Sequence, residues 1–383
     1  MNKLSDLINK ICPNGVEYKT LEKCCNILDN MRKPITKSAR EKGNYPYYGA
    51  NGIQDYVSNY IFDGKFILVG EDGSVINRNG NPIVTWAEGK IWVNNHAHII
   101  EEIEGIQLRY LYYYIQTINV ANLIHGNIPK LNQGDFRKLR IAVPPMEVQC
   151  EIIRILDKFT ELEAELEAEL ENRKKQYEYY RDKLLNFDKT GNPCGCTHTH
   201  THGYLLEKTK YYTLDEITNN IYSGKNKNKS SDGKYSVYGS TGVISKTTVP
   251  AYKKDNILIA RVGVNAGYVY IAKGEYDVSD NTLIVELKDN VNLKYVYYQL
   301  SNINLHQYAR GGGQPLITAG QMKQVSIPVP SLEKQNKIVD ILDRFDKLCN
   351  DISEGLPAEI EARKKQYEYY RDKLLTFKEL KSK

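Results

Sequence analysis

A chain of 383 residues, 41% hydrophobic and 26% charged, is long enough for two or three domains with cores of their own. Its formal charge is only +5, its seven cysteines are odd in number and irregularly spaced, and no run of about eighteen apolar residues occurs, which argues against a disulfide scaffold and a membrane-spanning helix. The opening MNKLSDLINK lacks the apolar stretch of a signal peptide, so a cytoplasmic protein without a membrane partner is expected.

In chain order, short apolar or alternating runs bounded by Gly and Asn predict strands at 66–70, 83–86 and 91–100, and 107–117 reads as a short tyrosine-rich helix. Pro144 and Pro145 suit a helix start, and no Gly or Pro interrupts 146–187. Within that span Ile152, Ile155, Phe159, Leu162, Leu166, Leu170, Tyr177 and Leu184 recur at three- and four-residue steps, as a helix pairing along one seam requires. CGCTHTHTH at 194–202 has zinc-ligand residue types but not the two separated ligand pairs of a structural zinc site, so it reads as part of a low-complexity linker. Strands are expected again at 257–260, 268–272 and 282–286, with a short helix at 293–300. A second long helical stretch carries Ile338, Ile341, Phe345, Leu348, Ile360, Tyr367 and Leu374, with Gly355-Leu356-Pro357 interrupting it.

These elements form two tandem copies. RKKQYEYYRDKLL occurs at 173–185 and, letter for letter, at 363–375. Upstream, IAVPPMEVQCEIIRILDKF from Ile141 matches IPVPSLEKQNKIVDILDRF from Ile327, and LRYLYYYI from Leu108 matches LKYVYYQL from Leu293. YYGANG from Tyr47 matches VYGSTG from Val237, FILVGEDG from Phe66 matches NILIARVG from Asn256, and YKTLEK from Tyr18 echoes YYTLDE from Tyr211. The copies differ in helix length by four residues, and the first contains ELEA, ELEA, ELEN at 161–172, a unit that lengthens a helix by about 6 Å. Residues 147–171 carry nine acidic and two basic side chains; removing that −7 from the total of +5 leaves +12 on the rest, suited to a polyanion.

The order of these motifs, stated twice over nearly the whole chain, resembles the specificity subunit of type I restriction-modification systems. The resemblance implies a mixed α/β (α+β) fold with two pseudo-repeated target recognition domains joined by two long antiparallel coiled-coil helices. The expected layout is a first recognition domain at 1–145, a helical spacer at 146–187, a linker at 188–204, a second recognition domain at 205–330 and a second spacer at 331–377. The implied function is reading a bipartite site in double-stranded DNA. Two modification (N6-adenine methyltransferase) subunits and restriction/translocase subunits are the implied partners, and they hold S-adenosylmethionine, ATP and Mg, while this chain binds no cofactor and catalyses nothing. A self-sufficient restriction endonuclease or methyltransferase, or a non-enzymatic DNA-binding scaffold, is the alternative. No F-x-G-x-G with N-P-P-Y and no G-x-x-x-x-G-K-[ST] occurs. Asp280, Glu286 and Lys288 imitate a D…E-x-K nuclease set, but the repeat sets Ile100 and Glu102 opposite Glu286 and Lys288, so the ligands are not duplicated.

Bases are read by Arg, Lys, Asn and Gln, and phosphates are held by Arg and Lys. Candidates in the first copy are Arg32, Lys33, Lys37, Arg40, Lys42, Tyr47, Arg78, Asn94, Asn95, His96 and Lys130. Those in the second are Lys225, Lys227, Lys229, Arg261, Asn265, Asn281, Arg310 and Gln314. The duplicated stretch reads as a surface that docks one partner twice, through Arg173, Lys174, Lys175, Tyr177, Tyr180 and Arg181, and through Arg363, Lys364, Lys365, Tyr367, Tyr370 and Arg371.

Overall fold

The computed structural model describes residues 2–73, 75–187, 209–227, 232–311, 314–351 and 353–380. The CGCTHTHTH stretch and Lys229 lie outside them. The chain divides into two compact units, one made of Met1–Glu167 with Glu359–Lys383 and the other of Ala168–Ala358.

In the first unit six strands form a mixed sheet in the order Asn26–Ile27, Ala97–Glu101, Phe62–Gly70, Val84–Val93, Lys42–Gly49, Gly52–Val57. The pairs are antiparallel except Lys42–Gly49 against Val84–Val93, where Tyr47 faces Trp92 in parallel. In the second unit the corresponding strands form two sheets. One runs Thr218–Ser223, Thr282–Leu287, Asn256–Ala260, Val269–Ala272, and the other Gly242–Thr247, Tyr235–Gly239, Tyr276–Val278, with Tyr238 facing Val278 in parallel. The YGxxG motif is the turn of a hairpin in both copies: Gly52 and Gly242 have φ of +94° and +92°, left-handed values that side chains rarely adopt.

The strand predicted at 91–100 is split. Val84–Val93 continues through Gly89, and the break falls at Asn94–His96, where polar side chains lead the chain into Ala97–Glu101. The Lys42–Gly49 and Gly52–Val57 hairpin escaped the sequence reading, because its run is dominated by Gly, Tyr and Pro rather than by aliphatic residues. Strand registers also correct the alignment of the copies by one residue. Asn26 pairs with Glu101 and Asn220 with Glu286, so Glu286 matches Glu101 and not Ile100. Lys288 still has no basic counterpart; its ammonium binds the Glu216 carbonyl at 2.5 Å, and Glu286 accepts from the Tyr222 hydroxyl at 2.5 Å.

Many of the tyrosines are core residues with a tethered hydroxyl, as burial of a polar tip requires. Tyr110 donates to the Ala142 carbonyl and Tyr295 to the Pro328 carbonyl, each at 2.8 Å. Tyr113 donates to Asp157 at 2.5 Å and Tyr298 to Asp343 at 2.7 Å. The first two bonds fasten the short helices Leu108–Ile115 and Leu293–Asn302 to the strands Arg140–Val143 and Ser326–Val329, and the last two fasten them to the helices Met146–Leu185 and Leu332–Asn350. Gln149 and Gln335 repeat one clamp, each donating to a proline carbonyl, of Pro144 or Pro330, at 2.8 Å while accepting from the residue before a short helix.

The long helix Met146–Leu185 is continuous over forty residues. The second helical region is broken as expected, into Leu332–Asn350 and Leu356–Leu374, with Asp351 capping the break through Ser353 and Glu354. The apolar stripe of the long helix serves two cores. Val148, Ile152 and Leu156 are buried in the first unit, whereas Leu185 is buried in the second with Tyr177 and Leu184 against it. Correspondingly, Ile338, Val339 and Leu342 lie in the second core, and Leu374 and Leu375 in the first, with Tyr367 and Tyr370 packed on it. Each RKKQYEYYRDKLL therefore packs into the unit of the other copy. Tyrosines repeat the exchange: Tyr18 donates to the Phe377 carbonyl at 3.1 Å and Tyr211 to the Phe187 carbonyl at 2.8 Å. Within each unit the paired helices are antiparallel. Phe159 meets Tyr370 while Lys364 bonds Glu167 at 2.9 Å, and Tyr177 meets Phe345.

Replacing Leu375 by Ala should cost about 2–4 kcal/mol, all of it in the first unit. Hydrogen exchange should show lost protection there, with amides of the second unit unchanged. Loss confined to the second unit would contradict the exchanged packing.

Candidate nucleic-acid interface

Three loops meet where Phe62–Gly70 ends and Ala97–Glu101 begins. The Glu71 amide donates to the His96 carbonyl at 2.9 Å, the Leu131 amide to the Glu71 carbonyl at 2.8 Å, and the Gly73 amide to the Pro129 carbonyl at 3.0 Å. The Asn94 amide donates to the Tyr48 carbonyl at 3.0 Å. The second unit builds the same joints: Arg261 to Asn281 at 3.0 Å, Ile317 to Arg261 at 2.8 Å, Gly263 to Pro315 at 3.0 Å and Ser279 to Tyr238 at 2.8 Å. One backbone framework is thus dressed with different side chains, as Glu71 stands where the other copy has Arg261 and Asn94-Asn95-His96 where it has Ser279-Asp280-Asn281.

Of the sequence candidates, Asn94, Asn95, His96 and Lys130 lie on the first cluster, and Arg261, Asn281, Arg310 and Gln314 on the second with Asn265 beside them. Asn94 is buried: its amide donates to Gln54 and its Oδ1 accepts from the His96 amide at 2.8 Å, so it shapes the turn. Arg32 is enclosed, donating to Glu71 at 2.6 Å and to the Ala97 carbonyl at 2.6 Å. Arg40 stacks on the buried Tyr47 ring and pairs with Asp55 at 3.2 Å. Lys33 contributes backbone, its carbonyl accepting from Trp92 at 2.6 Å. Lys37, Lys42 and Arg78 are exposed on other segments, as are Lys225 and Lys227. The Arg261 guanidinium reaches the Asp280 carbonyl at 3.3 Å, and its Nε is enclosed with no hydrogen-bond partner. Beside Arg310 opens a cavity of about 500 Å³ lined by Gln307, Tyr308, Thr318, Gln321 and Gln324.

The sequence reading sought basic and amide side chains and missed two things. Apolar side chains stand out in or near the same clusters: Ile128, Val264 and Tyr268 are 69%, 93% and 64% exposed. Beneath the first cluster lies a buried ion network. His98 presents Nδ1 to Asp29 at 2.6 Å and Nε2 to the Leu131 carbonyl at 2.9 Å, and its ring stacks on Phe136 at 4.1 Å. Lys130 pairs with Glu71 at 3.2 Å and Gln133 donates to Asp29 at 3.0 Å. Asp29, Glu71 and His98 are close enough to hold a metal ion. However, Arg32 and Lys130 already neutralise both carboxylates, and a further cation would meet two positive charges. Burial alone would raise the Asp29 carboxyl, but the hydrogen bond and charge of His98, the Ile99 amide and Arg32 outweigh it and hold it below the usual range. Nor is there an activated thiol in the adjacent cysteine pair, as burial pushes Cys24 up to about 11.

The type I restriction modification DNA specificity domain matches the chain twice, at 13–172 and 207–362. The chain belongs to that family. It is 36% identical over 372 residues to a Haemophilus influenzae protein named for a type I restriction enzyme specificity subunit, covering 94% of this chain and 96% of that one. It is 33% identical over 295 residues to the EcoR124I/EcoR124II specificity subunit of Escherichia coli, covering 70% and 71%. The fold is similar to the crystal structure of the S subunit from M. genitalium, with a TM-score of 0.57 at 17% identity over 94% of this chain and 96% of that one. A specificity subunit recognises DNA within a multisubunit complex and is not itself the enzyme. No described helix is long and apolar enough to cross a membrane.

Replacing Arg32 by Ala removes the cation shared by the buried Asp29 and Glu71 and should destabilise the first unit by about 3 kcal/mol. Arg310→Ala, at an exposed position, should leave stability within about 0.5 kcal/mol. Equal thermal shifts for the two would contradict these assignments.

Proposed function

We propose that each unit reads one half of a split duplex site through its three-loop cluster. What carries this reading is the set of four backbone joints built twice under divergent side chains, which is how one docking geometry would serve two base sequences. The recognition segments are 1–145 and 205–330, joined by the helical segments 146–187 and 331–377 and the linker 188–204. Arg261, Arg310, Lys130 and the exposed Asn95, Asn281 and Gln314 are the contacts to base edges and phosphates. Exchanging residues 1–145 for those of another specificity subunit should change one half-site in a genomic map of N6-methyladenine. A change in both halves would sink the two-reader scheme.

The methyl transfer and DNA translocation belong to partner subunits in the cytoplasm that carry S-adenosylmethionine, ATP and Mg, with one modification subunit docked on each copy of the repeated helix. The side chains divide the repeat into an inner and an outer face. Tyr177 and Tyr367 pack on cores, Arg181 and Arg371 lie over their rings, and Arg173, Arg363, Lys364, Lys175 and Lys365 pair with glutamates of their own units. Exposed in both copies are Lys175, Glu178, Tyr179 and Asp182, matched by Lys365, Glu368, Tyr369 and Asp372, a stripe at steps of three and four on one helix face. On this outer face Lys175, Asp182, Lys365 and Asp372 make only surface pairs within their own helix, worth little to stability, so core packing does not account for the outer identity. Tyr179→Ala or Tyr369→Ala should each leave a complex with one modification subunit by native mass spectrometry, at roughly tenfold weaker binding. Retention of two subunits by the double variant would refute docking on this face.

Removing one four-residue unit from 161–172 shortens the helix by about 6 Å, or one to two base-pair rises. The methylation map should then show a spacer changed by one or two base pairs with both halves intact.

A further inference from the structure

We propose that His98 is a positioning residue that makes recognition by the first domain depend on its proton, while recognition by the second does not. The inference rests on the reading of the two clusters as DNA-reading sites. Both ring nitrogens of His98 face acceptors: Nδ1 faces the Asp29 carboxylate and Nε2 the Leu131 carbonyl. A neutral imidazole has one N–H and cannot donate to both, so only the doubly protonated form of this buried ring makes both bonds. The groups facing it from every neighbouring element are Asp29 and Arg32 from one turn, Glu71 from the end of a strand, and Lys130 beside Leu131. Phe136 covers its face.

The charge count gives the ring its consequence. In the buried network two carboxylates, Asp29 and Glu71, stand against Arg32 and Lys130, so the His98 proton decides whether the network is neutral or carries a net positive charge toward a polyanion. The proton also holds geometry, because the same ring ties the Asp29 turn to the strand Lys130–Leu131, whose loop partner is Glu71. The second copy is an internal control. The strand positions matching His98 and Lys130 are Leu283 and Leu316, Glu71 is matched by Arg261, and continuing the register places Ser223 at Asp29. There, among the described residues, the framework closes without a buried ion network, and the positive charge comes from the guanidinium groups of Arg261 and Arg310. His306, at the edge of that cluster, bonds the Ala266 carbonyl rather than a carboxylate.

The test uses the complete chain assembled with its modification subunits, after its site has been read from a methylation map. Binding is measured from about pH 6.5 to about pH 8.5 on the full site and on duplexes scrambled in one half. The preference for the correct first half should fall by roughly tenfold as pH rises, while the preference for the correct second half stays within about twofold. The double variant Asp29→Ser, His98→Leu, which installs the residues of the second copy, should show the weakened first-half preference at every pH. His96→Asn, which removes the exposed histidine paired with Asp72, should keep the fall of the first-half preference with pH, whatever it does to the affinity itself. A flat first-half profile, an equal fall in both halves, or a fall abolished by His96→Asn would each overturn the proposal, and the wild-type profile decides even if the double variant does not fold. Absence of preference for either half at any pH would instead refute the DNA-reading assignment beneath it.

Discussion

Burial of the leucines that end each RKKQYEYYRDKLL is the constraint on which the rest of the structure depends. Leu374 and Leu375 close the core of the first unit, and Leu184 and Leu185 pack into that of the second. An amphipathic helix end cannot leave such residues in water without losing roughly 1.5–3 kcal/mol per side chain. The chain therefore completes each unit with the helix end of the other copy. The first unit contains both the start and the end of the chain and so folds only with a segment distant in sequence, whereas the second is the continuous stretch Ala168–Ala358.

That exchanged packing explains why the helical parts are conserved between the copies while the loops are free to change. The Gln149 and Gln335 clamps, the Tyr113–Asp157 and Tyr298–Asp343 bonds and the tyrosine tethers to Phe377 and Phe187 all satisfy buried polar groups in the same way twice. At the three-loop clusters the shared joints run from backbone to backbone, so most side chains there differ between the copies without breaking them. The first cluster departs from this pattern, since Arg32, Glu71, Asp29 and His98 sit under the loops as a closed network.

Much of this was legible in advance. Repeat order, the long helix, the interruption of the second helical region and the strands at 66–70 and 257–260 follow from periodicity and from proline chemistry, although the break falls just before Leu356 and Pro357 stands in the first turn of the next helix. The candidate list mixed groups that the fold separates. Arg32 and Arg40 looked like free cations, but carboxylates distant in sequence, Glu71 and Asp55, claim them. The repeated basic stretch looked uniform in letters, yet its helix period turns Tyr177 toward a core and Tyr179 toward solvent. A linear string gives the period but not which phase of it meets a core.

The sequence by itself determined the duplication, the helix lengths and the membership of the two halves in one family, because these depend on local pattern and on the order of motifs. Tertiary structure alone decided that each repeated helix end serves the opposite copy, that three loops remote in sequence form one cluster, and that His98 stands between the Asp29 carboxylate and the Leu131 carbonyl. Those facts depend on which groups are brought within hydrogen-bonding distance when apolar surface is buried, and no spacing along the chain encodes such neighbours.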